Sequence, residues 1–402
     1  MTGPYGDEEL AARLRDAVGE RHPVVAAAAV SPGGTRVTSL GAPLGADFEI
    51  GSISKGVTGL LYADALDRGE IGPESTLGDF LPLGDVPAAG VTLASLSTHR
   101  SGLPRLPASA KPWRRTFSLW RHGTNPYGED LDELLAQARE VQVGRPRPRY
   151  SNLGFELLGH AIARAAGTTY RELVNERIAE PLGLGVFYVP SAPDELRPGA
   201  ITGRTRSGRE QQPWTGEALG PAGGIRASIE DMATLTSALL DGSAPGITAL
   251  DPVTTFAGRA VSIGAAWVVL ETKGRFVTWH NGGTGGFRTW IGIDRAAGTG
   301  VVVLSATAIS VDRPGFVMLA KLTEEAGAAG HTGGTGETGQ AGQAGQAGQA
   351  GQAGQAGQAG QAGQAENIKN TEDTEDTEDT EDTEKAGGIG GNGPAGRPGN
   401  PA

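Results

Sequence analysis

The strongest constraint on the fold is a repetitive C-terminal stretch that cannot form a hydrophobic core. Residues 339–365 are nine consecutive Gly-Gln-Ala units, and residues 371–384 repeat Thr-Glu-Asp. Neither repeat contains a large apolar residue, so burial cannot offset the conformational entropy lost on ordering. A collagen triple helix would need abundant proline beside the glycine period, and the repeats contain none. We therefore expect residues 326–402 to be a disordered, low-complexity acidic tail and residues 1–325 to form the folded domain.

The folded part is only mildly acidic and contains no cysteine. The tail holds 11 acidic and three basic residues, so residues 1–325 account for −4 of the formal net charge of −12. Without cysteine there can be no disulfide, thiol nucleophile or cysteine-ligated zinc. The acidic balance argues against a nucleic-acid partner. No apolar run approaches about 18 residues, and the first ten residues lack the basic and apolar regions of a signal peptide. We therefore predict a cytoplasmic protein that does not enter a membrane.

Strand patterns lie at both ends of the folded part, and helical patterns lie between them. Residues 8–19 form an amphipathic helical pattern, and helical patterns dominate from about 52 to 240. Short apolar runs predict strands at 23–30, 36–40, 262–271, 275–279, 289–294 and 300–306, followed by a helix at about 315–325. This order predicts an α/β (α+β) fold with one antiparallel sheet built from both chain ends and flanked by helices. An all-α region at about 72–240 is inserted between the two halves of that sheet.

Ser52 and Lys55 stand at the start of a predicted helix, three residues apart and therefore on one face. A serine hydroxyl becomes a nucleophile when a base takes its proton, and a lysine can serve if its pKa is lowered by burial or by another cation. The helix N-terminus also offers backbone N–H groups to an oxyanion. The alternative interpretation makes Ser52 a helix cap and Lys55 a solvated surface residue. The pair alone does not decide between the two, because Ser-x-x-Lys occurs by chance.

Two later segments carry further polar groups next to turns. Tyr150-Ser-Asn152 precedes a helix, where the phenol can exchange protons and the amide can donate and accept hydrogen bonds. The sequence His280-Asn281-Gly282 follows a predicted strand, and its glycines would let an edge strand lie close to a substrate. The structural alternatives are a packed Tyr150, an Asn152 helix cap and a plain glycine-rich hairpin.

Together the three segments resemble the serine β-lactamase and penicillin-binding-protein superfamily, specifically its class C-like branch. That branch includes D-alanyl-D-alanine carboxypeptidases, D-aminopeptidases and β-lactamase-like esterases. The resemblance spans about residues 8–325 and includes Ser52-Ile-Ser-Lys55, Tyr150-Ser-Asn152 and His280-Asn-Gly282 in order. The segments Thr98–Pro104 and Gly220–Met232 also look familial.

The resemblance implies a role for each motif residue. Ser52 would be the acylated nucleophile, Lys55 would assist its deprotonation, and Tyr150 would relay protons; which of Lys55 and Tyr150 is the general base stays open. Substrate would be bound by Asn152, His280, Asn281 and Gly282. The backbone N–H groups of Ser52 and Gly283 would form the oxyanion hole. Neither a metal nor a cofactor is predicted.

The third motif departs from the Lys-Thr-Gly that penicillin-hydrolysing members usually carry. Here His280 and Asn281 replace the cation and hydroxyl that bind the drug's carboxylate, and a neutral imidazole is a poorer carboxylate anchor. D-amino-acid peptides and β-lactams remain possible substrates, because His-x-Gly also occurs among the peptidases of the branch. The favoured hypothesis is a cytoplasmic esterase or amidase acting on a small acyl substrate.

Alternative functions use the same fold or the tail. One alternative is a catalytically silent binding or regulatory module, which the three intact motifs disfavour. Another places the biological role in the acidic tail as an interaction arm whose partner is unknown. The remaining histidines show no metal-ligand spacing, so we predict structural or surface roles for His22, His99, His122 and His160.

Overall fold

The computed structural model describes residues 4–106, 124–126 and 128–332, without the side chains of 329–332. The strands within these ranges are β1 (Tyr5–Gly6), β2 (Val25–Ser31), β3 (Gly34–Leu40), β4 (Phe48–Glu49), β5 (Phe187–Tyr188), β6 (Arg226–Ala227), β7 (Thr254–Ala257), β8 (Val261–Ile263), β9 (Val268–Thr272), β10 (Arg275–Gly283), β11 (Arg288–Asp294) and β12 (Thr299–Ser305). The described strands form a nine-stranded antiparallel sheet in the order β1-β3-β2-β12-β11-β10-β9-β8-β7, and a small sheet in the order β4-β6-β5. The N-terminal strand β2 pairs with the C-terminal strand β12 from Val25–Ser305 to Val30–Gly300, so the predicted sheet from both chain ends is confirmed.

The helices of the described ranges are α1 (Glu8–Val18), α2 (Ile53–Asp67), α3 (Leu77–Phe80), α4 (Leu93–Ser97), α5 (Leu131–Glu140), α6 (Asn152–Ala165), α7 (Tyr170–Val174), α8 (Glu180–Leu182), α9 (Gly220–Gly223), α10 (Ile229–Asp241) and α11 (Asp312–Thr332). A π-helical turn, Asn175–Ala179, joins α7 to α8. Short 3-10 turns lie at Pro87–Gly90, Pro193–Glu195 and Ile247–Leu250. No helix in these ranges is long and apolar enough to cross a membrane.

The two faces of the main sheet are covered by different helices. Side chains alternate between faces along a strand, and Trp290 of β11 lies under Gly315 of α11. Thr289, one residue earlier, turns to the opposite face and donates to the carbonyl O of Ile50 at 2.7 Å. Helix α2 therefore packs on the face opposite α11. Its residues from Ile53 to Ala65 are all buried, as expected for a helix with apolar residues on all sides.

The predicted strand 262–271 is divided into β8 and β9 by a sharp irregularity. Gly264 N donates to Trp267 O at 2.9 Å and Ala265 N to Ala249 O at 2.8 Å. The break lets the buried Trp267 indole donate to the Gly56 carbonyl of α2 at 3.1 Å. The interruption thus provides a contact that holds the catalytic-motif helix against the sheet.

Two other elements differ from the sequence prediction. The helical region between 72 and 240 contains the two-residue strands β5 and β6; β6 pairs with β4, just before Ser52, and with β5 on its other side. Helix α11 continues to Thr332, beyond the predicted end near 325, because alanines at 326, 328 and 329 favour propagation of an existing helix. The rest of the predicted disordered tail, residues 333–402, lies outside the described residues.

Candidate active site

The turn before α2 brings Ser52 against the end of β10. Gly51 has a φ of +54°, a conformation that glycine adopts without a Cβ clash. A Cβ at Gly51 would lie 2.6 Å from Gly283 N, and one at Gly282 would lie 2.1 Å from Ile50 O. The two backbone segments therefore touch directly, and only glycines fit at the contact. The structure thus places the first and third motifs side by side, although about 230 residues separate them.

Lys55 is fully buried one helical turn after Ser52. Its Nζ lies 3.1 Å from Ser52 Oγ and donates to the Ala222 carbonyl of α9 at 2.6 Å. Burial lowers the pKa of Lys55 well below its ordinary value; the Glu156 carboxylate opposes this shift, and the Arg105 guanidinium adds to it. Ser52 occupies the N-cap position but makes no side-chain cap hydrogen bond. The structure therefore excludes the alternative of a capping serine beside a solvated lysine.

Tyr150 lies between two cationic side chains. Lys55 Nζ is 4.8 Å from the centroid of its ring, and Arg105 Cζ is 5.7 Å from the same point. The second motif therefore meets the first in space, with the Tyr150 ring next to the Lys55 amine.

Asn152 is the first residue of α6, but it is not the helix cap. Ser151 is the N-cap, and its Oγ accepts a hydrogen bond from Gly154 N at 2.9 Å. The backbone N–H groups of Asn152 and Leu153 donate to Arg105 O at 3.2 and 3.3 Å. These bonds fix the backbone of Arg105 against the start of α6. The alternative that Asn152 serves as the cap is wrong, because the preceding serine holds that position.

His280 on β10 is buried and neutral. Its Nδ1 lies 2.6 Å from Asn281 O; because a carbonyl oxygen only accepts, Nδ1 carries the proton and Nε2 is left as an acceptor. Burial lowers the pKa of His280 to about 4, against a smaller opposing effect of the Asn281 carbonyl, and the Lys55 charge lowers it further. The third motif therefore provides a hydrogen-bond acceptor and no cation.

Asn281, predicted to bind substrate, points to the other face of the sheet. Its amide Nδ2 donates to Asp312 Oδ2 on α11 at 3.2 Å. Consecutive strand residues face opposite sides, so His280 and Gly282 share the Ser52 side and Asn281 does not. The prediction for the Asn281 side chain is corrected accordingly.

The hairpin after β10 sets the direction of the Gly283 amide. Thr284 N donates to Phe287 O at 3.1 Å, so by the alternation of an antiparallel ladder the Gly283–Arg288 pair exchanges no hydrogen bonds. Gly283 N–H therefore points away from β11. It points to the side on which β9 has already ended, since β9 pairs with β10 only as far as Trp279. Such a donor, together with the amide of Ser52 at the start of α2, suits an oxyanion.

A buried ionic cluster braces the segment before Ser52. The fully buried Arg226 guanidinium contacts Asp47 Oδ2 and Glu49 Oε1, each at 3.0 Å. Burial raises the pKa of Glu49, although Arg226 and a hydrogen bond from Thr284 counteract the shift. Because Thr284 begins the hairpin after β10, the cluster links the first motif to the third. Sequence patterns had marked Arg226 only as part of a familial segment.

Sequence reasoning also missed three residues around the motifs. Glu156 lies one turn after Asn152, and its charge acts on Lys55. Arg105 and His99 flank Tyr150. Their only sequence signals were the helical i, i+4 spacing for Glu156 and, for His99, its place within Thr98–Pro104.

Three other histidines, His22, His122 and His160, have predicted structural or surface roles. His22 Nδ1 lies 2.7 Å from Ser305 Oγ, and His160 Nε2 lies 3.2 Å from Glu217 O; both are buried structural residues. His122 lies outside the described residues. Within the described ranges no group of three or more His, Asp or Glu side chains is arranged to hold a metal ion.

Comparisons with known proteins match most of the part of the chain before residue 326. The family model described as Beta-lactamase matches residues 10–316. The chain is 34% identical over 153 residues to the D-alanyl-D-alanine-carboxypeptidase/endopeptidase AmpH of Escherichia coli (strain K12), covering 37% of this chain and 38% of that protein. It is 25% identical over 264 residues to penicillin-binding protein 4* of Bacillus subtilis (strain 168), covering 60% of this chain and 56% of that protein. The chain therefore spans between 38% and 56% of the length of these two curated relatives.

A solved structure shows the same fold over most of the chain. The crystal structure of the class C beta lactamase from Rhodobacter sphaeroides superimposes with a TM-score of 0.63 at 22% identity. The match covers 81% of this chain and 99% of that one. The predicted β-lactamase-like architecture is confirmed.

Proposed function

The chain belongs to the Beta-lactamase family, and on that premise we propose that it is a serine hydrolase that forms an acyl-enzyme on Ser52. It cleaves the ester or amide bond of a small substrate. The observation that carries the proposal is the fully buried Lys55 Nζ at 3.1 Å from Ser52 Oγ. A buried amine with a lowered pKa is available as a neutral base beside the hydroxyl that must lose its proton.

Acylation follows from this geometry. Ser52 Oγ attacks the substrate carbonyl carbon while its proton passes to the Lys55–Tyr150 pair. The negative charge that develops on the carbonyl oxygen is held by the amides of Ser52 and Gly283. The carbon–leaving-group bond then breaks, and the proton is returned to the departing alkoxide or amine through Tyr150.

Deacylation reverses the proton path. A water molecule attacks the acyl carbonyl, gives its proton to Tyr150, and releases the acid as Ser52 Oγ regains a proton. The Lys55 amine, 4.8 Å from the centroid of the Tyr150 ring, would share this proton with the phenol. Asn152 at the start of α6 and Gly282 on the Ser52 side of β10 would contact the substrate.

The third motif narrows the substrate class. A neutral His280 that presents an acceptor nitrogen does not attract a carboxylate, and the Asn281 amide faces Asp312. We therefore expect better turnover of esters and amides without a carboxylate near the scissile bond than of β-lactams. Because the relative AmpH is named a D-alanyl-D-alanine-carboxypeptidase/endopeptidase, a peptide ending in D-alanyl-D-alanine is a third substrate to test. The cytoplasmic location stays a prediction that cell fractionation would test.

The test is hydrolysis of a nitrophenyl ester, a chromogenic cephalosporin and a D-alanyl-D-alanine peptide by wild type, Ser52→Ala and Ser237→Ala. Ser237 is a matched control, because its Oγ donates to Ala233 O within α10 and lies 3.4 Å from Thr35 Oγ1 on β3, and neither partner belongs to a motif. Wild type and Ser237→Ala should turn over at least one substrate, and Ser52→Ala none. Mass spectrometry should find the acyl group on Ser52. Turnover by Ser52→Ala at the wild-type rate would contradict the mechanism, and stoichiometric binding without acylation would favour a silent binding module.

A further inference from the structure

His99 is a buried residue with an unusual backbone. It follows α4 with a φ of +55°, a region that non-glycine residues seldom adopt, and only 2% of its surface is exposed. Residues held in such conformations cluster at functional sites, where the surrounding structure maintains the strain.

The contacts of His99 involve Tyr150, the residues on either side of it, and Phe155, whose ring centroid lies 4.6 Å from that of His99. Its carbonyl oxygen accepts from Arg149 N at 2.8 Å, and its Nδ1 accepts from Ser151 N at 3.1 Å. Its imidazole ring lies 4.4 Å from the Tyr150 ring, centroid to centroid, at an interplanar angle of 31°. His99 therefore holds the backbone on both sides of Tyr150 and packs against the phenol between them.

The hydrogen bonding of the ring requires a neutral imidazole. Because Ser151 N–H donates to Nδ1, the ring proton lies on Nε2. Burial lowers the pKa of His99 well below its ordinary value. The buried Nε2–H finds no hydrogen-bond partner among the residues that the structure describes, which costs free energy. A strained backbone and an unsatisfied donor both destabilise the fold, so packing alone does not explain a histidine at this position.

We propose that His99 is a positioning residue that fixes the Tyr150 phenol relative to Ser52 and Lys55 without touching the substrate. The inference rests on the proposed proton-transfer role of Tyr150. A misplacement of about 1 Å at a catalytic group can cost roughly 100-fold in rate. The contacts of His99 therefore determine whether proton transfer at Tyr150 is efficient. The backbone bonds hold the position of the residue, and the ring contact limits rotation of the phenol.

Two substitutions separate the contacts of the His99 side chain. His99→Asn keeps an acceptor for Ser151 N and tolerates positive φ, but it loses the ring. His99→Phe keeps a ring against Tyr150 and loses the acceptor. His22→Asn is the matched control, since His22 is also buried and is hydrogen bonded through Nδ1 to Ser305 Oγ, outside the three motifs. Thermal unfolding of each variant reports folding, and the Asn variant keeps the test usable if the Phe variant does not fold.

The decisive measurement is kcat and KM for each His99 substitution, made once in the wild-type enzyme and once together with Tyr150→Phe. In wild type we expect kcat for the best substrate to fall roughly 10- to 100-fold with KM changed less than about threefold. In Tyr150→Phe, itself slowed by about 10²- to 10⁴-fold, the same substitutions should cost nothing further, because their effect passes through the phenol.

Three results would overturn the inference. They are wild-type kcat in both His99 variants, losses of equal size in the Tyr150→Phe background, and a Tyr150→Phe enzyme as fast as wild type. An active Ser52→Ala enzyme would instead refute the proposed hydrolase. If Ser52→Ala is inactive while the His99 variants behave like His22→Asn, only the positioning role fails.

Discussion

Adding one methyl group at Gly282 should disable the enzyme, whereas the same methyl at Gly283 should not. Neither glycine has a positive φ, so alanine is conformationally allowed at both positions. An ideal Cβ at Gly282 would lie 2.1 Å from Ile50 O and 2.3 Å from Thr289 Oγ1. At Gly283 the nearest atom is the movable Arg288 Nη1, at 3.1 Å. The two substitutions therefore differ in the space available and not in chemistry.

The size of the effect follows from the clash. An ordinary contact between carbon and a carbonyl oxygen is about 3.3 Å, so Gly282→Ala must push β10 and the Ile50 segment apart by roughly 1 Å. Since Gly283 N is the next donor along β10, it moves away from the Ser52 amide by a similar amount. Losing one oxyanion donor costs about 10²- to 10³-fold in kcat, or about 2.7–4 kcal/mol. The overpacking should also destabilise the fold by about 1–3 kcal/mol.

The assay is single-turnover acylation of Ser52 by a nitrophenyl ester, with thermal unfolding as the folding check. Gly283→Ala should acylate within a few-fold of wild type, and Gly282→Ala about 10²- to 10³-fold more slowly. A folded Gly282→Ala enzyme with the wild-type acylation rate would show that the contact between Ile50 and Gly282 does not set the oxyanion geometry.

Three shorter predictions concern charge. Lys55→Met should lower kcat by about 10²- to 10⁴-fold, and an unchanged kcat contradicts this. The same substitution should raise the thermal midpoint most at low pH, because there the amine is protonated in the unfolded chain while the buried site disfavours the charged form. Arg105→Gln removes a charge that lowers the pKa of Lys55, so the acidic limb of the pH profile of kcat/KM should move to higher pH, and a downward shift contradicts it. Burial holds the pKa of His160 and His280 at about 4 in the fold, while unfolded imidazoles bind protons near 6.5. The thermal midpoint should therefore fall as pH drops from about 6.5 towards 4, and a flat profile contradicts it.

The three motifs could be recognised in the sequence because each consists of residues close together along the chain, whose relative positions follow from local backbone geometry. Ser52 and Lys55 share a helix face at any register, and the burial of Lys55 follows once the helix has apolar residues on all sides. The β2 and β12 runs are similarly explicit, since continuous small apolar residues favour a buried strand.

Features set by distant contacts were not predictable in this way. The predicted strand ends at residue 279, so the alternation that sends Asn281 towards Asp312 does not follow from the sequence. The break at Gly264 depends on a bond from Trp267 to Gly56, 211 residues away. His99 was assigned a structural role because a single loop histidine carries no periodic signal, and its partner Tyr150 lies about 50 residues later.

The pairing of β2 with β12 also bears on how activity arises during synthesis. Central strand β2 is made early, but one of its two neighbours in the sheet is β12, residues 299–305. The Ser52 turn likewise needs β10 beside it. Contacts this far apart in sequence form slowly, because a long loop must close before they stabilise the fold. The nucleophile therefore leaves the ribosome long before the Gly283 amide, and a nascent chain should gain hydrolytic activity only after about residue 305 has emerged.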